Sequence, residues 1–181
     1  KDKKLIHFLF RYLFLISVGF YVPTIVIGAV KDIGVPVIQN FERAQYNAGT
    51  QNWSISQGIN GVMYFGNNQG LLRYDGQFWS TFKVPNGSNI RCVQYSKKQD
   101  LLYVGSFNEL GFFTYDSIGS TAFTSLKELV PDDYKHFGDV WRIHETPSGV
   151  VFQTFEAIFI YHDGKIDVVP PRSIFHFSYF V

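Results

Sequence analysis

Three short turns hold the side chains of this sequence best placed to do chemistry together. Asn67, Asn68 and Gln69 stand in the first, Phe107, Asn108 and Glu109 in the second, and Phe155 with Glu156 in the third. Amides and carboxylates hydrogen-bond the edges of hydroxyl-rich molecules, and flat aromatic rings cover their apolar faces, so the mixture suits a ligand of that kind. The same polar types also satisfy turn geometry and water, which is what turn residues ordinarily do. Catalytic groupings are absent from the pattern. Asp75, Asp116 and Asp163 each stand at a turn in a separate stretch, where an Asp caps the turn, and they are too far apart to form a carboxylate pair. The five histidines show no metal-ligand spacing. No nucleophile elbow, phosphate-binding glycine loop or metalloprotease signature is present, so no catalytic residue, metal or cofactor is expected. Cys92 is the only cysteine, which excludes an internal disulfide and reads as a small buried hydrophobe.

The three turns belong to one pattern written three times. Met63-Tyr64-Phe65-Gly66 leads into Gly70-Leu71-Leu72-Arg73-Tyr74-Asp75-Gly76, and Leu102-Tyr103-Val104-Gly105 into Gly111-Phe112-Phe113-Thr114-Tyr115-Asp116. A looser copy runs from Val151-Phe152-Gln153-Thr154 to Ile158-Phe159-Ile160-Tyr161-His162-Asp163-Gly164. Gly66 and Gly105 are 39 residues apart, and Gly105 and Thr154 are 49 apart. Repeats of about 40–50 residues built from short strands are the spacing of β-propeller blades. Asn60-Gly61, Asn68-Gln69, Asp75-Gly76, Lys97 to Asp100, Pro147 to Gly149 and Asp163-Gly164 supply the turns.

The expected fold is therefore all-β: a partial β-propeller of about three four-stranded blades plus the start of a fourth, preceded by an N-terminal apolar helix. Residues 53–83 form the first blade, 84–125 the second and 140–170 the third. Residues 31–52 read as an extended lead-in, 126–139 as a short helical insertion stopped by Pro131, and 171–181 as the truncated first strand of another blade. Trp53, Trp79 and Trp141 read as packing residues, with a ligand role open at Trp53 and Trp141 because they fall in first strands. In a four-stranded blade the turn between the second and third strands opens on the same face as the connection between blades, so the eight candidate residues should share one face.

Residues 1–30 are a different material. Lys1, Lys3 and Lys4 precede an apolar stretch, and residues 12–30 hold 19 uncharged positions, about the minimum for a membrane span. This is the layout of a signal peptide or of an uncleaved anchor, and either places the remainder outside the cytoplasm. These thirty residues carry four basic groups and one acidic, which leaves 12 basic against 14 acidic in the rest. No basic stripe remains to hold a nucleic acid. The opening on Lys1 and the close inside the apolar run from Ile174 to Val181 read as a fragment of a longer ring.

The run from Asn47 to Trp53, continuing through Gly61-Val62-Met63-Tyr64-Phe65-Gly66 to Tyr74-Asp75-Gly76, resembles the opening blade of the two-component regulator propellers. So do Pro85-Asn86-Gly87 with Ile90-Arg91, and Asp139-Val140-Trp141 followed by Phe152 to Glu156. The resemblance implies the extracytoplasmic sensing half of a bacterial membrane receptor. A triple-tyrosine β-sandwich, a transmembrane helix and a kinase or DNA-binding output would follow it. Partners are then a small-molecule or oligosaccharide ligand and the membrane, with a second receptor copy as a further candidate. A propeller enzyme acting on polysaccharide and a structural interaction scaffold are the alternatives.

Overall fold

A computed structural model describes residues 3, 4, 6–8, 11, 34, 38–115 and 121–180. The chain divides into two units, Lys1–Gln39 and Asn40–Val181. In the first, residues 3, 4, 6–8 and 11 are helical. The remainder of the expected apolar helix over residues 5–30 lies outside the described residues, as does Asp116. Among the described residues no helix is long and apolar enough to cross a membrane.

The second unit is an arc of three antiparallel sheets. The first holds β1 (Asn52–Gln57), β2 (Met63–Asn67), β3 (Gly70–Tyr74) and β4 (Trp79–Phe82). The second holds β5 (Ile90–Ser96), β6 (Leu101–Ser106), β7 (Glu109–Tyr115) and β8 (Thr121–Ser125). The third holds β9 (Arg142–Thr146), β10 (Gly149–Gln153), β11 (Ile158–His162) and β12 (Lys165–Val169). Strands within each sheet pair in sequence order, and the first strands lie side by side, β1 on β5 and β5 on β9. That is the blade arrangement of a propeller.

Period-two alternation divides each strand between two seams. Leu102 and Val104 of β6, with Val93 and Tyr95 of β5, face the first sheet and bury Tyr64, Leu71 and Val84 against them. Cys92 and Tyr103 point the other way, onto Ile143, Val150, Phe152 and Phe159 of the third sheet. The turns obey local backbone chemistry. Asn60 (φ 56°) and Gly61 (φ 78°) are both left-handed, as are Asp163 (φ 46°) and Gly164 (φ 73°), the requirement of a two-residue hairpin turn that follows the strand twist.

Four local expectations need correction. Within the lead-in, residues 43–46 form one helical turn, α1 (Arg43–Tyr46), not extended chain. Glu42 is a weak N-cap type, but its N–H donates to the Gln45 side chain at 2.7 Å, and Phe41 and Tyr46 pack on Trp79 at 5.1 and 5.7 Å between ring centres. Residues 126–139 hold two single 3-10 turns, Lys127–Leu129 and Asp132–Tyr134, because Leu126, Val130 and Phe137 are drawn singly into the second seam. Residues 171–180 form no strand: 172 and 173 bend, and Phe175 N–H meets the Phe155 carbonyl at 3.1 Å. Finally, the turn register pairs Asn67 with Gly70 and Ser106 with Glu109, and Thr154 N–H meets the Ala157 carbonyl at 2.9 Å. The residue equivalent to Gly66 and Gly105 is thus Gln153, one before Thr154.

The two glycines mark where neighbouring sheets touch. A Cβ at Gly66 would stand 2.9 Å from the Ile90 carbonyl oxygen and 2.7 Å from Ser54 Oγ, and one at Gly105 would stand 2.5 Å from Val140 Cγ1. Gly66→Ala should therefore lower stability by about 1–3 kcal/mol through overpacking. Urea unfolding measures it, and an unmoved midpoint would show that the first seam can give way.

Candidate functional site

Two of the turns between second and third strands lie against neighbouring segments, Asn68 N–H on the Gln51 carbonyl at 3.3 Å and Asn108 N–H on the Gly138 carbonyl at 2.7 Å, and the polar side chains of the turns divide into two sets. One set is consumed internally. Asn67 is fully buried. Its Oδ1 accepts from Gly49 N–H at 3.0 Å and Gln69 N–H at 2.9 Å, and its amide donates to the Gly49 carbonyl and to Asn52 Oδ1, both at 2.7 Å. Asn108 sits in the left-handed region (φ 50°) and accepts from Gly138 N–H at 2.9 Å. Glu109 is buried, and Ser125 Oγ donates to it at 2.6 Å. These three side chains stitch the turns to the segments entering and leaving the sheets.

The other set is exposed: Asn68, Gln69, Phe107, Phe155 and Glu156. Asn68 Oδ1 accepts from the Trp53 indole at 2.7 Å, and Phe155 stacks on Trp141 with centroids 5.5 Å apart and planes at 28°. The Glu156 carboxylate lies beside Gly138, 3.5 Å from where a Cβ would be. Phe107 is linked through its backbone, its carbonyl taking the Asn86 amide at 2.9 Å.

Between these two ends runs a chain of rings that crosses all three sheets. Trp53 and Arg91 stand at matching register shifts of β1 and β5, and Trp141 immediately precedes β9, its N–H on the Gln153 carbonyl at 2.8 Å. The Arg91 guanidinium lies over both indoles, 4.0 Å from the Trp53 ring centre and 5.1 Å from that of Trp141. Arg91 Nε donates to Asp139 at 3.0 Å, which neutralises the partly buried cation. The indoles themselves meet edge to face at 6.3 Å, and His176 adds a ring 6.0 Å from Phe155. Trp53 and Phe155 stay over one-third exposed, at 38% and 37%. Such a surface can stack on a flat ligand and hydrogen-bond its rim.

In the sequence Arg91 and Asp139 carry only the family resemblance, with no site role, and His176 falls within the apolar terminal run. The available signal was Arg91 itself, a lone charge in the apolar run of β5 at the position where β1 has a tryptophan. Trp79 is a packing residue, stacked on Tyr74 at 4.4 Å. Asp75 caps its turn, accepting from Gln77 and Phe78 N–H groups at 3.0 and 2.8 Å, and these donors hold its carboxyl below the usual carboxylate range. Asp163 does not cap; it serves its turn through left-handed backbone. His162 is held above the ordinary histidine value by its hydrogen bond to Asp167 at 2.7 Å. Cys92 is buried with its Sγ 3.1 Å from the Val140 carbonyl, and burial pushes the thiol up and away from the reactive thiolate. Among the described residues no group of three or more His, Cys, Asp or Glu could hold a metal ion.

No protein-family model and no curated protein matches the sequence. Among solved structures, virginiamycin B lyase from Staphylococcus aureus is similar with a TM-score of 0.51 at 15% identity, over 69% of this chain and 43% of the lyase chain. The arc is a propeller arc. The extracellular domain of a putative one-component system from B. thetaiotaomicron also matches, with a TM-score of 0.47 at 18% identity, over 68% of this chain and 16% of that one. The chain thus spans less than half of either similar structure. At these identities the likeness to the lyase concerns fold alone, and the second match is too loose to add to it.

The two sets of turn residues should separate in experiment. Asn67→Ala orphans the N–H and carbonyl of Gly49 in a buried place and should cost about 1–3 kcal/mol of stability. Asn68→Ala should stay within about 0.5 kcal/mol. Thermal and urea unfolding of the two variants distinguish them, and equal effects would contradict the division.

Proposed function

We propose that the chain is part of an extracytoplasmic ligand-sensing propeller of a bacterial membrane signal-transduction receptor, and that the ligand is a glycan. The observation that carries the reading is the half-covered aromatic run from Trp53 through Trp141 to Phe155, rimmed by Asn68 and Glu156, on the face where the connections gather. Sugar rings present apolar faces to aromatic side chains and hydroxyls to amides and carboxylates, which matches this order of groups. The sequence resemblance to two-component regulator propellers supports the receptor context, and the basic-then-apolar start of the chain supports export.

A panel of oligosaccharides titrated onto the protein, followed by tryptophan fluorescence, tests the ligand reading. A binding oligosaccharide should lose about tenfold in affinity in Trp53→Ala, the scale of one lost stacking contact and its buried area. Binding that ignores Trp53 and Phe155 moves the ligand elsewhere, and cleavage of a bound glycan replaces the sensor with an enzyme. Separately, a periplasm-dependent reporter fused after Val30 should be active outside the cytoplasm. Robust activity of a cytoplasm-dependent reporter at the same junction would contradict export.

A further inference from the structure

On the opposite face, where the turns between first and second strands lie, the second and third sheets part to leave a groove of about 450 Å3. Lys98, Gln99, Ser148, Glu145 and Tyr161 line it, with Asp163 at the rim. Tyr103 is buried behind Tyr161, ring centres 6.4 Å apart, and its hydroxyl donates to the Gln99 side chain, which fixes that amide in the groove wall. Burial, then Tyr161 and Glu145, pushes the Tyr103 hydroxyl up to about 12, so it remains a neutral donor. Glu145 is partly buried, and Ser96 Oγ donates to one of its oxygens at 2.7 Å. Among the described residues no basic group forms an ion pair with it.

We propose that this groove binds an alkylammonium group, held between the Glu145 carboxylate and the ring of Tyr161. Glu145 is a half-buried carboxylate that no described basic group pairs with, and a cation entering beside it supplies the missing counter-charge. An aromatic ring next to the same point adds attraction for a cation and little for a neutral polyol. Asp163 adds negative charge at the groove, while Lys98 and His162, the latter held above the ordinary histidine value by Asp167, oppose a cationic ligand. The site lies on the other face from the aromatic run and does not depend on the sensing role proposed above.

The test titrates the 181-residue chain with choline chloride, and with glucose and glycine as neutral and zwitterionic comparisons at matched ionic strength, by calorimetry. Choline should bind saturably. Glu145→Gln keeps the acceptor for Ser96 but removes the charge, and should weaken choline about tenfold, the worth of one hydrogen-bonded charge. Tyr161→Ala should weaken it as well, and Lys98→Ala should leave it unchanged or tighten it. Thermal unfolding of each variant confirms that the fold is kept. Absence of saturable choline binding overturns the proposal. So does choline binding indifferent to Glu145→Gln, or a preference for glucose or glycine, the latter lost in Lys98→Ala.

Discussion

Gly66 and Gly105 have no side chain because the next sheet occupies the space where one would be. This close approach near the ends of the second strands sets the spacing of the arc, since a bulkier residue at either point would lever two sheets apart. It also brings β1, β5 and β9 side by side. Only at that spacing can Trp53, Arg91 and Trp141, from three separate sheets, reach one another. The aromatic run is thus a product of inter-sheet distance and not of any single turn. Its cation is held by Asp139, which arrives on the connection after the second sheet.

Polar turn residues serve two masters here. A connection that leaves one sheet and enters the next exposes backbone N–H and carbonyl groups that no ladder satisfies, and each needs a partner where it is buried. Asn67 supplies three hydrogen bonds to that end, and Asn108 and Glu109 supply others. Their neighbours Asn68, Phe155 and Glu156 carry no such duty and face outward. Adjacent positions in the same turn therefore differ in kind, one holding the chain together and the next available to a ligand.

The sheets were legible in the sequence because their signals are local. Alternating apolar residues, left-handed Asn-Gly and Asp-Gly pairs and a recurring Tyr-Asp give strand and turn without any long-range knowledge. The looser third copy misled the alignment by one residue, since Gln153 stands where the other copies have glycine and Thr154 looks more like a small residue. The candidate site was only half legible. Which of Asn67 and Asn68 is buried depends on Gly49, eighteen positions away, and no local pattern encodes that. Arg91 and Trp141 meet across two sheets, a contact that propensity and spacing leave undetermined. The one-turn helix at Arg43–Tyr46 was missed for a similar reason, its support coming from the distant Trp79.

Gln153 gives the arc an asymmetry. The first two seams close over a glycine, against Ile90 in one and Val140 in the other, whereas the third sheet presents a buried amide that donates to the Phe175 carbonyl at 3.1 Å and accepts from Ser178 Oγ at 2.7 Å. Apolar contact weakens on cooling, because its driving force near room temperature is the entropy of water. Hydrogen bonds of the kind made by Gln153 do not share that dependence. Cooling therefore weakens the apolar joints between the sheets more steeply than it weakens the bonds between Gln153 and the tail, so the two kinds of joint respond to temperature with different heat capacities.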